Sequence, residues 1–319
     1  MRILFITASR IGDSVLSTAL LAYLIERYPG ARITIACGPA AAPLFEAVPG
    51  LEAVIPMPKR RWGGHFVALW TKTVTTRWDL VVDLRASAFA WTVSAGERRV
   101  FHYNHALGHR LRQLASVFAL DPPPDPRLWT GPHHDEAAAS LIPPGPPVLA
   151  LGPTANWPRK RWPADRFADL ARRLIAVSGI LPGARIAVLG GADERPAAVP
   201  VIEALSALSP IDLVGRVDLL TAYACLRRCD FFIGNDSGLM HMAAAAGIPT
   251  IGLFGPSKEW LYGPWGKLAE AVRTPQAYSE LVGGPGYDRF AAGSLMEGLS
   301  VDAVERAARD LWARAGAVG

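Results

Sequence analysis

Asn235, Asp236, Ser237 and Gly238 stand together between a short apolar run, Phe231 to Ile233, and a run rich in helix formers, Met240 to Ala246. A second apolar run, Thr250 to Phe254, follows between glycine and proline, so Asp230 to Ser257 reads as a βαβ unit with a polar turn before its helix. Such a turn collects capping side chains, backbone N–H groups without helical partners and the positive end of the helix dipole, which together suit an anion. His241 falls in the first helical turn, where it can face the same ligand. The residues alone leave a plainer reading open, in which Asp236 or Ser237 only caps the helix and His241 is a core or surface histidine.

Three further places carry chemistry. Lys160 precedes Arg161-Trp162-Pro163 and a helical run; a lysine neutralises a phosphate as a flexible point charge, and proline suits a first helical turn. Gly190-Gly191-Ala192-Asp193-Glu194 forms a turn with two carboxylates at the end of an apolar run. Gly12-Asp13 opens an amphipathic run just after the first strand, where an aspartate can be a helix cap or a proton acceptor.

Read as a whole, NDSGLMHMAAAAGIPTIGLFGPS closely resembles the donor-binding segment of the bacterial lipopolysaccharide heptosyltransferases, glycosyltransferase family 9. The resemblance implies that Asp236, Ser237, Gly238, Leu239 and His241 bind a nucleotide diphosphate sugar, and that Lys160, in a K-x-W-P element, contacts its phosphates with Thr154 and Asn156 assisting. It also implies that Glu194, or equally Asp193, receives the nucleoside ribose, and that in the Gly12-Asp13 pair Asp13 is the general base and Gly12 lies with the donor-binding residues. Two departures stand out: Ser237 replaces the commoner threonine, and Ala19 stands where many members carry proline.

The elements that must hold these residues follow from periodicity. Strands are expected at Arg2 to Thr7, Arg32 to Cys37, Ala53 to Pro56 and Leu80 to Leu84, with helical runs between, and again at Val148 to Leu151, Arg185 to Leu189 and Ile211 to Val214. That alternation predicts an α/β fold with largely parallel sheets, whose ligands bind at the carboxyl ends of strands. No G-x-G-x-x-G follows the first strand, so a dinucleotide fold of that kind is not indicated. The proline-rich DPPPDPRLW and LIPPGPPVL place a linker near Pro143 to Pro147, giving domains 1–145 and 146–319. The resemblance adds the GT-B type: two Rossmann-like domains with a cleft between them, the first for the acceptor and the second for the donor, and a last helix near 301–314 packing back on the first.

The chain has 319 residues, half of them hydrophobic, and 33 Lys+Arg against 28 Asp+Glu, a net +5 that favours an anionic partner. Basic residues gather at Lys59, Arg60 and Arg61 and again from Arg98 and Arg99 through Arg112. With Arg10, these are candidates to hold an anionic acceptor, although charge runs are commonly just solvated surface. The aromatics do not interleave with them in a nucleic-acid signature, so no nucleic-acid partner is expected. Cys37, Cys225 and Cys229 are too few for a disulfide framework, and no export signal or spanning segment is evident, so a cytoplasmic protein is expected. No D-x-D acidic cluster occurs, and neither a metal nor a cofactor is expected.

These readings converge, through the resemblance, on an inverting, metal-independent glycosyltransferase that moves a heptose from ADP-heptose to the anionic inner core of lipopolysaccharide, with possible peripheral contact at the cytoplasmic face of the inner membrane. The alternatives are a nucleotide-sugar epimerase of similar fold and a noncatalytic nucleotide-sugar-binding protein.

Overall fold

Apolar runs buried on both faces become the inner strands of parallel sheets, and each half of the chain is built around such runs. The computed structural model describes residues 1–317. In the first unit β1 (Arg2–Ile6), β2 (Arg32–Cys37), β3 (Leu51–Pro56), β4 (Trp78–Asp83) and β5 (Ala95–Val100) form an all-parallel sheet in the order β3-β2-β1-β4-β5. Its helices are α1 (Ile11–Arg27), α2 (Gly64–Thr73) and the short α3 (Arg110–Ala115). The chain winds outward from β1 to β3 and then returns to β4 on the other side of β1, so the direction of winding reverses between β1 and β4.

The second unit repeats the plan. It comprises α4 (Pro132–Leu141), β6 (Val148–Gly152), α5 (Ala164–Ile175), β7 (Arg185–Val188), α6 (Arg195–Ala204), β8 (Ile211–Asp212), α7 (Leu219–Leu226), β9 (Phe231–Asn235), α8 (Gly238–Ala245) and β10 (Thr250–Phe254). The short α9 (Glu259–Tyr262), β11 (Ala269–Arg273), the short α10 (Tyr278–Val282) and α11 (Val301–Gly316) complete it. Its parallel sheet runs β11-β10-β9-β6-β7-β8, and the winding reverses between β6 and β9. The expected α/β class is met, and β5 and β11 are strands that periodicity does not reveal.

The units divide after Gly131, ahead of the proline-rich stretch expected to be the linker. α4 is the reason. Its buried His134 lies 3.8 Å from Asp218, which caps α7, and Asp135 lies 3.6 Å from Arg227, so α4 packs on α7 inside the second unit. Pro143 and Pro146 accept hydrogen bonds from the Arg185 guanidinium at 2.9 and 3.0 Å, making this segment a fastened turn into β6.

α11 has its apolar face within the second unit. Val304, Ala307, Ala308 and Leu311 lie on one helical stripe, and that stripe is buried in the second unit's own core with Phe167, Leu170 and Leu174 of α5. Arg173 of α5 holds the same helix through Asp302 at 2.7 Å and Glu305 at 3.3 Å.

Candidate functional site

Where winding reverses, the two loops leaving the central strands diverge and open a crevice at their carboxyl ends. In the second unit those loops follow β6 and β9. The pleat is tight here: Gly152 and Gly234 are register partners, and a Cβ on Gly152 would meet the Phe232 ring at 2.7 Å. Asn235, at the end of β9, ties the loops together by accepting from Trp162 N–H at 3.0 Å and donating to Pro153 O at 2.8 Å. From behind, Trp162 Nε1 donates to Leu299 O at 2.9 Å and Leu295 N–H donates to Arg159 O at 3.0 Å. The tail segment 294–299 thereby fixes the loop that carries Lys160.

That clamp sets Lys160 Nζ 2.6 Å from Asp236 Oδ2, with both residues only 8% exposed. Lys160 Nζ also lies 4.7 Å from the Trp157 ring centroid. Asp236 faces the lysine, and Ser237 takes the N-cap position of α8 in an extended conformation without a capping bond from its side chain. Ser237 Oγ and Ser257 Oγ, which follow neighbouring strands β9 and β10, are buried without hydrogen-bond partners. Gly238 and Leu239 contribute first-turn N–H groups of α8, and His241 is buried on the same helix. A cation paired with a carboxylate, the amino end of α8 and the Ser237 hydroxyl at its N-cap thus follow the central strands, a set that suits phosphate oxygens.

The neighbouring loop is tied in by Glu194, whose Oε2 accepts from Thr154 Oγ1 at 2.7 Å and from Gly191 N–H at 3.0 Å. Of the two carboxylates left open by the sequence, Glu194 joins this network and Asp193 is exposed. Thr154 is fully buried, whereas Asn156 stands exposed in the same loop.

In the first unit the reversal point lies beside β1 and β4. Arg10 occupies the N-cap position of α1, so Asp13 sits at the third helical position rather than at the cap, with Gly12 before it. Asp13 Oδ1 lies 4.0 Å from Arg110 Nε. Arg110 is itself buried, its guanidinium 4.3 Å from the Phe101 ring centroid and 5.2 Å from that of Tyr103. The carboxylate of Asp83, at the end of β4, is fully buried and accepts from Arg85 N–H at 2.9 Å and from the Ser87 hydroxyl. Burial pushes its pKa up, against the hydrogen bonds from Ser87 and Arg85. Sequence reasoning missed Asp83, an ordinary polar residue at a strand end until its partners are known, and it placed Asn235 in the polar turn without showing that it ties two loops together.

The residues of the second basic cluster are differently engaged. Arg98 lies on the edge strand β5 and donates to three carbonyls, Ala90 O and Val93 O at 2.8 Å and Ala95 O at 3.2 Å, so it fastens the turn after β4. Arg99 pairs with Glu97 and lies 5.7 Å from the Phe118 ring centroid, while His109 caps α3 through Nδ1. A shallow cavity of about 320 Å3 lies among Arg98, Arg99, His102 and Ser116. Lys59, Arg60 and Arg61, in contrast, are all exposed. Among the described residues no group of three or more His, Cys, Asp or Glu is placed to hold a metal.

Comparison with known proteins gives the family and the fold. The sequence pattern described as Glycosyltransferase family 9 (heptosyltransferase) matches residues 73–282. Lipopolysaccharide heptosyltransferase 2 of Salmonella typhimurium is 28% identical over 88% of this chain and 90% of its own. Among solved structures, the ADP-heptose lipopolysaccharide heptosyltransferase II of E. coli superposes with a TM-score of 0.76 at 23% identity, covering 99% of this chain and 100% of that one. A glycosyl transferase family 9 protein from Veillonella parvula gives a TM-score of 0.79 at 22% identity, covering 98% and 97%.

Proposed function

The chain belongs to glycosyltransferase family 9, with the α/β fold of the GT-B type, and from that premise we propose that it moves a heptose from ADP-heptose to the inner core of lipopolysaccharide with inversion. The observation that carries this reading is the pairing of Lys160 with Asp236 beside the amino end of α8, with the buried, unpartnered Ser237 hydroxyl at its N-cap, at the reversal point of the second sheet. A nucleoside diphosphate has the phosphates for that set and a ribose for Glu194.

In the proposed reaction an acceptor hydroxyl oxygen bonds to the anomeric carbon as the bond from that carbon to the diphosphate oxygen breaks. Asp13 takes the hydroxyl proton. The departing diphosphate carries the bond's electron pair, and its growing charge is met by Lys160, the N–H groups of Gly238 and Leu239, and the hydroxyl of Ser237. Thr154 acts through Glu194, holding it for the ribose, and His241 backs the phosphate-binding turn. Lys59, Arg60 and Arg61 attract the anionic acceptor, and Arg10 adds positive charge at the start of α1. On this reading the donor is a substrate and no cofactor takes part. The first unit serves the acceptor, the second serves the donor, and the work is cytoplasmic.

The test is product analysis with ADP-heptose in the presence and absence of a lipopolysaccharide core acceptor. Heptosylated acceptor and released ADP, formed only when both substrates are present, are the expected result. A rearranged nucleotide sugar formed without acceptor would mean an epimerase, and tight ADP-heptose binding with no product would mean a binding protein.

A further inference from the structure

We propose that the segment between α10 and the 294–299 tail is a strap that completes the donor pocket, with Arg289, Tyr287 and Arg159 taking the distal phosphate of a nucleoside diphosphate. The inference rests on the donor-site reading above and names the residues that make the pocket prefer a diphosphate to a monophosphate.

Gly286 and Gly293 turn the strap at φ 82 and 92, and two ring contacts lay the residues between them along the loop that carries Lys160. The Arg289 guanidinium lies 5.2 Å from the Trp157 ring centroid and 4.9 Å from that of Phe290, and the Arg159 guanidinium lies 5.7 Å from that of Tyr287. Ring faces hold a guanidinium without consuming its N–H groups. Arg289 is exposed and makes no ion pair or hydrogen bond among the described residues, while the carboxylate of Asp288 accepts from Phe290 N–H at 2.8 Å. Arg159 Nε and the Tyr287 hydroxyl are buried without hydrogen-bond partners. An arginine N–H can only donate and a phenol O–H donates readily, so what all three groups lack is an acceptor. A phosphate oxygen is the acceptor that suits a planar guanidinium.

Charge points the same way. Lys160 and Asp236 neutralise each other at 2.6 Å, so the pair brings no net charge to a ligand that is negative on each phosphate. The amino end of α8 adds only a partial charge. Of the other cations nearby in sequence, Arg161 donates through Nε to Ala155 O at 3.1 Å and Arg273 is paired with Glu259. Arg289 shares the Trp157 ring with Lys160 Nζ, which lies 4.7 Å from the same centroid, and it is unpaired.

Strand order says which phosphate it meets. Glu194 follows β7, Lys160 follows β6 and Asp236 follows β9, whereas the strap leaves the sheet from β11, beyond β10. A nucleotide with its ribose at Glu194 and its first phosphate at the reversal point therefore extends toward the strap with its second.

Calorimetric titration of the full chain with ADP and with AMP tests this, with melting curves to show that each variant is folded. The native chain should bind ADP at least about tenfold more tightly than AMP. Arg289→Gln should weaken ADP binding about tenfold and leave AMP within about twofold, and Arg289→Lys, which keeps the charge, should lose less. Tyr287→Phe keeps the ring and should weaken ADP about threefold or more, with AMP again unchanged. A native chain that binds ADP no better than AMP, unchanged ADP affinity in folded Arg289→Gln and Tyr287→Phe, or equal losses for ADP and AMP each overturns the proposal. The last two outcomes leave the donor-site reading standing, whereas a native chain that binds neither nucleotide overturns both.

Discussion

Lys160 Nζ lies 2.6 Å from Asp236 Oδ2 across 76 residues of sequence, in a pocket where each residue is 8% exposed. Each neutralises the other, so removing one leaves a buried charge, a change that costs about 3–5 kcal/mol. Lys160→Ala or Asp236→Ala should therefore lower the melting temperature and diminish the further rise given by ADP, which in the native chain should reach about 2.7 kcal/mol at a hundredfold excess over Kd. Lys160→Met combined with Asp236→Leu should recover stability without recovering the ADP response. A double variant that still responds fully to ADP would remove the pair from the binding site.

Asp13 offers a cleaner separation of chemistry from structure. At the third position of α1 it complements the helix dipole and lies 4.0 Å from Arg110 Nε, so Asp13→Asn, which keeps the side chain's shape, should stay folded and lose about 1 kcal/mol. Loss of general-base assistance should lower kcat by about 10²- to 10⁴-fold with ADP binding retained. Steady-state kinetics beside an ADP melting titration checks both halves, and a fully active Asn variant would refute the base assignment.

The two basic groups should behave differently. Charge reversal at Lys59, Arg60 and Arg61, all exposed, should raise acceptor KM in a salt-dependent way and leave the ADP response alone. Arg98→Ala should instead cost stability, about 1–3 kcal/mol, because it strands carbonyls of Ala90, Val93 and Ala95. Denaturant melts compared with acceptor kinetics distinguish the two outcomes, and an Arg98→Ala chain as stable as the native one would refute the anchoring role.

Asp212 ties stability to acid pH. Burial pushes its carboxyl up, but hydrogen bonds from Arg195 and the Val214 N–H, with the charge of Arg216, outweigh this and hold it below the ordinary carboxylate range. A depressed folded pKa contributes stability that is present above the unfolded value and is lost as pH falls through the folded one. Asp212→Asn should accordingly melt lower than the native chain at neutral pH, and the gap should close as pH drops below about 4. A gap constant down to acid pH would mean that the pair contributes nothing.

Gly152 tests how closely the central strands must approach. A Cβ there would sit 2.7 Å from the Phe232 ring, in a strand buried on both faces, so Gly152→Ala should cost about 1–3 kcal/mol. Because Pro153 and Trp162 hang from Asn235 beside it, the same change should also weaken the ADP response, read in the same melting experiment.

Local patterns were the legible part of this chain. The βαβ unit from Phe231 to Phe254 declares itself because its apolar runs, turn and helix formers are contiguous, and the Arg32–Cys37 and Thr250–Phe254 strands fall where periodicity puts them. Lys160 and Asp236 could be paired before the fold was known only through family likeness, since 76 residues of sequence separate them. Arg98 looked like a surface charge because sequence does not show three carbonyls converging on it. Pro143 to Pro147 looked like a linker because proline marks irregular backbone, but not whether that backbone is fastened, as Arg185 fastens it. The apolar stripe of α11 was visible, yet an amphipathic helix does not say which core receives it.

The strand order also bears on how the chain is made. The first sheet is complete by Val100, with β1 flanked by β2 and β4, so the first unit can close while the ribosome is still elongating the second. β6 has a harder wait: its first residue, Val148, bonds Asp230, 82 positions later, and its partner β9 ends only at Asn235. Until then an apolar strand meant for burial on both faces keeps one edge open to other chains. The nascent protein should therefore be most exposed to aggregation, and most in need of a holding chaperone, after Gly152 and before Asn235 has cleared the exit tunnel.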